Sequence, residues 1–128
     1  MSLASSSSTD LVSRTHAIMR AWELGDTAAY AAACAPAVRV TIPAYGLDVT
    51  GFDAIWGVRT SMKPLQDGPL DLHTVTTAIV EGTSVRACSY VISRTTGQFT
   101  QHAEVRFDFD ADGKLTAYHQ SVLWMSRG

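Results

Sequence analysis

Four side chains of this sequence could carry acid/base chemistry: His73, Tyr90, Tyr118 and Asp48. Imidazoles have an ordinary pKa near neutrality, so His73 could take or give a proton at cellular pH. The phenols of Tyr90 and Tyr118 could donate hydrogen bonds to a substrate oxygen, as oxyanion stabilisers do. Asp48 lies on the loop after the first predicted strand and is the carboxylate best placed to act as a base. Together these groups could polarise a carbonyl and move a proton.

Each of these side chains also has a structural interpretation. His73 could be a histidine that is only hydrogen-bonded, and Asp48 could be a solvated loop carboxylate. The two tyrosines could bury their rings and satisfy their hydroxyls within the protein. Trp22 and Trp56 are large apolar side chains, so we expect them to belong to the core or to line a pocket.

Metal and cofactor chemistry is not predicted. The four histidines show no i, i+4 pair and no adjacent ligand cluster. The sequence also has no Cys-x-x-Cys, no glycine-rich phosphate loop and no Gly-x-Ser-x-Gly elbow. We therefore expect neither a metal nor a cofactor. The histidines are His16, His73, His102 and His119.

Composition excludes several classes of partner. A chain of 128 residues with 46% hydrophobic and 17% charged residues fits one globular domain. Its net charge of −2 gives no electrostatic footprint for nucleic acid. Neither a basic patch nor a long apolar run indicates a membrane. Two cysteines, Cys34 in an alanine-rich helix and Cys88 in a strand, predict free thiols and a cytoplasmic location.

The first half of the chain has helical patterns. Apolar residues repeat at helical spacing after an N-cap at Thr9 or Asp10, and Gly25 ends that helix. We expect residues 1–8 to be a disordered tail and residues 9–126 to be one domain. The other predicted elements are the helices Thr27–Ala35 and Ala54–Met62 and the strands Val38–Ile42 and Leu47–Val49.

The second half is a run of strand-like segments joined at glycines. Glu81-Gly82, Thr96-Gly97 and Asp112-Gly113 separate the segments. Helices followed by such strands predict an α+β fold, with a curved antiparallel sheet and helices segregated to one side. Such a sheet can enclose a pocket. The predicted strands are Leu70–Val80, Val85–Arg94, Phe99–Asp110 and Leu115–Met125.

The strand Phe99–Asp110 separates its residues most clearly into two faces. Alternate residues point to opposite sides of a sheet, so its aromatic face must contact the helices. His102 and Glu104 then lie on the outer face, away from any pocket. Periodicity alone does not choose the inner face of the other three strands. The predicted inner residues are Phe99, Gln101, Ala103, Val105, Phe107 and Phe109, and the outer ones are Thr100, His102, Glu104, Arg106 and Asp108.

Five local segments, in this order and spacing, resemble the nuclear transport factor 2-like superfamily, especially its SnoaL-like and ketosteroid isomerase-like branches. The resemblance extends from about Leu11 to Met125. The segments are Trp22–Asp26, Val38–Pro43, Val49–Ile55, His73–Gly82 and Phe107–Leu115.

This resemblance implies a fold and a pocket. The fold is a cone, a strongly curved sheet closed by three N-terminal helices (a cystatin-like α+β barrel). It also implies a homodimer packed through the outer sheet face. Tyr45 would lie near the pocket mouth. The family register directs His73, Thr77, Cys88, Tyr90, Val105, Phe107, Tyr118 and Gln120 toward the pocket.

The departures from the family pattern limit the predicted activity. Catalytic aspartates of ketosteroid isomerases align with Ile42 and Val105, and their oxyanion-hole tyrosine aligns near Ile18. Steroid isomerisation by that mechanism is therefore not expected. We predict a protein that binds a small apolar molecule, with cofactor-independent isomerase, cyclase or dehydratase chemistry as one possibility. The alternative is a non-catalytic ligand-binding or protein-interaction module of the same fold.

Overall fold

A computed structural model describes residues 8–61, 72–94 and 96–125. Side chains are described from Asp10 to Ser61 and, in the later ranges, from Val75 onward. The predicted disordered tail lies outside the described residues except for Ser8. In the described part of the chain, none of the helices has the length and apolar character that crossing a bilayer requires.

Three α-helices precede the long strands: α1 at Ser8–Leu24, α2 at Thr27–Ala33 and α3 at Phe52–Ser61. The predicted stripe of α1 is buried, including Leu11 and Ile18. The Asp26 carboxylate accepts a hydrogen bond from the Ala29 amide at 3.1 Å, which caps the N-terminus of α2.

Six strands form one sheet in the order β2-β1-β6-β5-β4-β3. Since β1 pairs with β6 in parallel and the other pairs are antiparallel, the sheet is mixed, and the prediction of a purely antiparallel sheet was wrong. The α+β class is confirmed. Strands β2 and β3 lie at the two edges of this sheet and do not pair with each other, so closure into a cone stays a prediction. The strands are β1 Cys34–Ile42, β2 Leu47–Thr50, β3 Leu72–Glu81, β4 Ser84–Ile92, β5 Phe99–Phe109 and β6 Leu115–Met125.

Cys34 lies in a strand, and its predicted place in the alanine-rich helix was wrong. The helix ends at Ala33, and Cys34 adopts extended backbone angles. It pairs with Leu115 of β6, and the register then shifts before Arg39. Pro36 lies inside that irregular stretch, where a missing amide donor costs least. Pairing with β6 therefore overrides the helical preference of the alanines.

The inner face of β5 follows the predicted alternation from Gln101 to Phe109. Val105 and Phe107 are buried, whereas Glu104 and Arg106 are exposed. Phe99 is an exception, because it is 58% exposed. An extra residue, Thr100, opposes the Val91–Ile92 step of β4, and this bulge moves Phe99 to the outer face.

A second bulge interrupts β3. Thr76 pairs with Cys88 and Ile79 pairs with Arg86, so Thr77 and Ala78 together oppose one residue of β4. Thr77 has a φ of 55°, the one non-glycine residue with positive φ in the described ranges. A β-branched residue rarely adopts this left-handed conformation, so the bulge is a strained feature of the sheet.

Candidate functional site

The helix-facing side of the sheet carries a line of polar side chains among apolar ones. On β4 the buried residues are Val85, Ala87 and Ser89, and on β6 they include Tyr118 and Gln120. Ser89 pairs with Ala103 of β5, so small side chains meet at the centre of this face. The predicted inward positions of Tyr118 and Gln120 agree with their burial.

We name five side chains the interior polar cluster: Tyr45, Ser89, Gln101, Tyr118 and Gln120. The Tyr45 hydroxyl donates to Gln101 Oε1, and the Tyr118 hydroxyl donates to Gln120 Oε1 at 2.5 Å. Tyr45 reaches Gln101 from the short 3-10 turn Pro43–Tyr45 that follows β1. Strands β4, β5 and β6 hold the other members.

Ser89 stands out within the interior polar cluster. Its residue is 1% exposed, and its Oγ has no hydrogen-bond partner among the residues that the structure describes. A buried hydroxyl without a partner loses its hydrogen bonds to water and gains none within the protein, which costs free energy. Most such groups in folded proteins are paired, so an unpaired one calls for an explanation.

Burial raises the pKa of the two tyrosines in the interior polar cluster. It raises the pKa of Tyr118 well above its usual range, and the nearby phenols of Tyr30 and Tyr45 raise it further. Burial also raises the pKa of Tyr45. All three phenols therefore remain protonated at neutral pH. They can donate hydrogen bonds, but they do not act as bases.

The inward placement of Tyr90 and Cys88 was wrong. Tyr90 pairs with His102 of β5 and stacks on its imidazole, with ring centroids 4.5 Å apart. Cys88 pairs with Glu104. Because directly paired residues share a face, both lie on the outer face with His102 and Glu104.

Thr77 was also predicted to line the pocket, but it is exposed and lines a groove on the outer face. The β3 bulge described above displaces it. Tyr45 is half exposed, as a position near a pocket mouth would be, and its hydroxyl reaches the interior polar cluster.

Asp48 does not have the surroundings of a general base. It is exposed, and its two carboxylate oxygens accept hydrogen bonds from Arg39 at 2.9 and 2.7 Å. These hydrogen bonds lower the pKa of Asp48, which makes it a weaker base. The backbone of His73 pairs with Val91, and its side chain lies outside the described part of the structure. Its catalytic role stays a prediction.

Trp22 and Trp56 belong to an aromatic cluster between the helices. Their rings meet edge to face, with centroids 5.9 Å apart, and Trp56 also contacts Tyr30 and Phe52. Arg59 completes this cluster, with its guanidinium 5.8 Å from the Trp22 ring and 5.2 Å from the Trp56 ring. Sequence reasoning gave Arg59 no role. Arg59 lies four residues after the buried Ile55 on α3, and this helical spacing predicts that both side chains lie on the same face.

The interior polar cluster is electrically neutral, since it consists of amides, phenols and one aliphatic hydroxyl. Within the described ranges, no group of histidine, cysteine and carboxylate side chains is arranged to hold a metal ion. The cluster can exchange hydrogen bonds with a neutral molecule, through the amide hydrogens of Gln101 and Gln120 and the lone pairs of the tyrosine oxygens.

A scan of protein-family models finds no match, and a search of curated proteins finds no significant match. Solved structures do match. A SnoaL-like family protein from Agrobacterium tumefaciens is 16% identical with a TM-score of 0.73, over 89% of this chain and 97% of that chain. An NTF-2 like protein of unknown function from Burkholderia xenovorans is 16% identical with a TM-score of 0.68, over 92% and 88%. A protein with a ketosteroid isomerase-like fold from Catenulispora acidiphila is 15% identical with a TM-score of 0.65, over 84% and 82%. The likeness confirms the predicted NTF2-like, SnoaL-like fold and shows the fold alone.

Proposed function

We propose that this protein binds a small, neutral and largely apolar molecule between the sheet and the helices. The observation that carries the proposal is the buried Ser89 Oγ, which has no partner within the described part of the chain. A ligand with one hydroxyl or carbonyl group would supply the missing hydrogen bond. Binding sites for small molecules typically combine an apolar lining with a few polar groups, which is the composition of this face.

The neutrality of the interior polar cluster supports a neutral ligand. A carboxylate or ammonium group that entered this face would lose its hydration without meeting an opposite charge among the cluster members. The amide nitrogens of Gln101 and Gln120 can donate hydrogen bonds to a ligand oxygen. Their carbonyl oxygens already accept hydrogen bonds from the tyrosine hydroxyls.

Ser89→Ala should have opposite effects on the free protein and on binding. Removal of an unpaired buried hydroxyl is expected to leave the free energy of unfolding unchanged or raise it by about 1–2 kcal/mol. The same change should weaken binding of a neutral ketone about fivefold or more, because a hydrogen bond to the ligand is lost. Denaturant titration measures the first effect. Calorimetric titration with cyclohexanone, 2-tetralone and 2-naphthol measures the second.

Ser13→Ala is the matched control, since Ser13 is exposed on α1 and should affect neither quantity. Gln101→Leu should also weaken binding, whereas Gln98→Leu, on an exposed turn, should not. If none of the three probes shows saturable binding, the proposal is refuted. Equal affinities of the wild type, Ser89→Ala and Gln101→Leu would also refute it.

We further propose, within this binding function, cofactor-independent acid/base chemistry of the isomerase, cyclase or dehydratase type. Its support is the protonated Tyr118, whose hydroxyl hydrogen would turn from Gln120 Oε1 to a substrate oxygen, with His73 as the predicted proton carrier. With a substrate found by screening, Tyr118→Phe should reduce turnover, whereas Tyr90→Phe on the outer face should not. Equal turnover in both variants would show that Tyr118 has no catalytic role. Absence of any turned-over substrate would favour the non-catalytic binding module, which the apolar Ile42 and Val105 also support.

We also propose that the protein forms a homodimer through the outer sheet face, in a reducing, cytoplasmic location where Cys34 and Cys88 stay free thiols. The supporting feature is a group of large exposed side chains at one end of this face, including Phe99 and Trp124. Light scattering at micromolar concentration should give twice the chain mass, and Trp124→Asp should shift the species to monomer. A wild-type monomer at that concentration would refute the dimer.

A further inference from the structure

Tyr30 brings a further hydroxyl group into the interior between the helices and the sheet. The residue is 5% exposed and belongs to the same core cluster as Tyr118. Its phenolic oxygen makes no hydrogen bond with any residue that the structure describes. A tyrosine with a buried ring usually satisfies its hydroxyl within the protein or with water. The Tyr30 hydroxyl therefore has its hydrogen available for another molecule.

The Tyr30 oxygen also borders open space. In the described ranges, the completely enclosed polar side-chain atoms that lack a partner are Ser89 Oγ and His102 Nε2. The Tyr30 oxygen lacks a partner but is not one of these atoms, so a small part of its surface stays accessible. A ligand oxygen that takes this place gains a hydrogen bond in surroundings that are otherwise largely apolar.

Aromatic rings on α1 and α3 fix the position of the Tyr30 ring. Its centroid lies 5.3 Å from that of Trp56, 5.8 Å from that of Trp22 and 6.2 Å from that of Phe52. Tyr30 itself belongs to α2, so all three helices meet at this ring. A closely packed ring keeps one orientation, and a hydroxyl that is already oriented loses little conformational entropy when it binds a ligand.

The Tyr30 hydroxyl lies close to the interior polar cluster, since the phenol of Tyr30 raises the pKa of Tyr118. The Tyr118 hydroxyl donates its hydrogen to Gln120 Oε1 and not to Tyr30. Burial raises the pKa of Tyr30 well above its usual range, and the nearby Cys34 raises it further. Burial also raises the pKa of Cys34 to about 11, so this thiol is neutral at neutral pH. The Tyr30 donor thus has uncharged neighbours in Tyr118 and Cys34, as suits a neutral ligand.

Tyr118 and Ser89 lie in different rows of paired residues on the inner face of the sheet. Tyr118 is paired with Phe107 of β5, and Ser89 is paired with Ala103 of the same strand. The two rows are four residues of β5 apart, which is about 13 Å at the usual rise of a strand. The hydroxyls of Tyr30 and Ser89 therefore lie near opposite ends of a mostly apolar stretch. The row between the two ends consists of Ala87, Val105 and Gln120.

From these two hydroxyls we infer the class of molecule that the interior site binds: a neutral molecule with an oxygen group at each end of an apolar body. The Tyr30 hydroxyl donates a hydrogen bond to one oxygen, and the Ser89 hydroxyl bonds to the other. Tyr30 selects for the second oxygen, because a ligand that lacks it leaves this phenol unpaired. The inference rests on the proposed binding function and goes beyond it, since that function requires only the oxygen at Ser89.

Calorimetric titration of the full chain tests the inference with two matched pairs of ketones, in which one member carries an additional hydroxyl group. The pairs are 6-hydroxy-2-tetralone with 2-tetralone, and the longer 4-(4-hydroxyphenyl)cyclohexanone with 4-phenylcyclohexanone. In at least one pair, the wild type should bind the hydroxylated member about fivefold more tightly or better. Tyr30→Phe should remove this preference and change the affinity for the simple ketones by less than about twofold. Tyr90→Phe is the matched control, since Tyr90 lies on the outer face and should affect neither quantity.

Three results would overturn the inference. Equal affinities within both pairs in the wild type would mean that no second oxygen is bound, and the proposed function would still stand if Ser89→Ala weakened ketone binding. A preference that persists in Tyr30→Phe would assign the second oxygen to another side chain. If none of the four ketones bound, the inference and the proposed function would both fail. The comparison within the wild type needs no variant, so it decides the question even if Tyr30→Phe does not fold.

Discussion

Arg59→Met is expected to lower the free energy of unfolding by about 3 kcal/mol, because it removes hydrogen bonds from a buried charged donor. Arg59 is 8% exposed, and its guanidinium donates to the carbonyl oxygens of Trp22 and Glu23 at 2.6 and 3.1 Å. These carbonyls belong to the last turn of α1, where the Trp22 carbonyl has only a long hydrogen bond from the Gly25 amide, at 3.4 Å. The charge of Arg59 thus completes the end of α1 and joins it to α3. Burial lowers the pKa of Arg59.

Chemical denaturation with urea measures the loss. Arg20→Met is the control, since Arg20 is exposed on α1 and should change stability by less than about 0.5 kcal/mol. Arg59→Lys should fall between the two, because an ammonium keeps the charge but cannot reach both carbonyls in the same way. If Arg59→Met were as stable as the wild type, the contact between α1 and α3 would not depend on this side chain.

Phe107→Ala is expected to destabilise the protein by about 3–5 kcal/mol, the usual range for an aromatic side chain deleted from a core. Phe107 is 0% exposed, and its ring meets the Tyr118 ring edge to face at 4.9 Å. The substitution would leave a space beside Tyr118 that the β-sheet cannot close. Thermal and urea unfolding both measure the effect.

Phe99→Ala is a matched control, because Phe99 lies on the same strand but is largely exposed. Its loss should cost less than about 1 kcal/mol. Phe107→Ala has a second expected effect: apolar cavities bind small apolar molecules, so benzene should raise the melting temperature of this variant more than that of the wild type. Equal destabilisation by the two alanine variants would contradict the assigned inner face of β5.

The face of β5 could be predicted from sequence, whereas the face of β4 could not. On β5 large aromatic residues alternate with charged ones, so burial favours one face strongly. On β4 one face carries Tyr90 and the other carries Ser89 and three small apolar residues, Val85, Ala87 and Val91, and size alone favours Tyr90 inside. Cross-strand pairing decides the question, since Tyr90 opposes His102. The alternation of residues along one strand does not show which residue of the neighbouring strand lies opposite each of them.

The bulges at Thr77 and Thr100 were hidden for a related reason. Glycine is the usual signal for a left-handed bulge residue, but the β3 bulge uses Thr77. The bulge at Thr100 likewise has no local signal, and it reversed the predicted position of Phe99. The unpaired hydroxyl of Ser89 depends on which residues surround it in space, which no local pattern describes. The helices α1 and α3, by contrast, follow from caps and apolar spacing.

The position of β6 in the sheet has a consequence for the order of folding. This strand lies between β1 and β5, although all other strands precede it in the chain. Until β6 is synthesised, the β1–β2 hairpin and the β3–β4–β5 meander are separate units with exposed edges. Their joining needs contacts such as Cys34 with Leu115, which are distant in sequence and therefore form slowly. A nascent chain of this protein would expose two open strand edges, so the period before β6 emerges is when a chaperone is most useful.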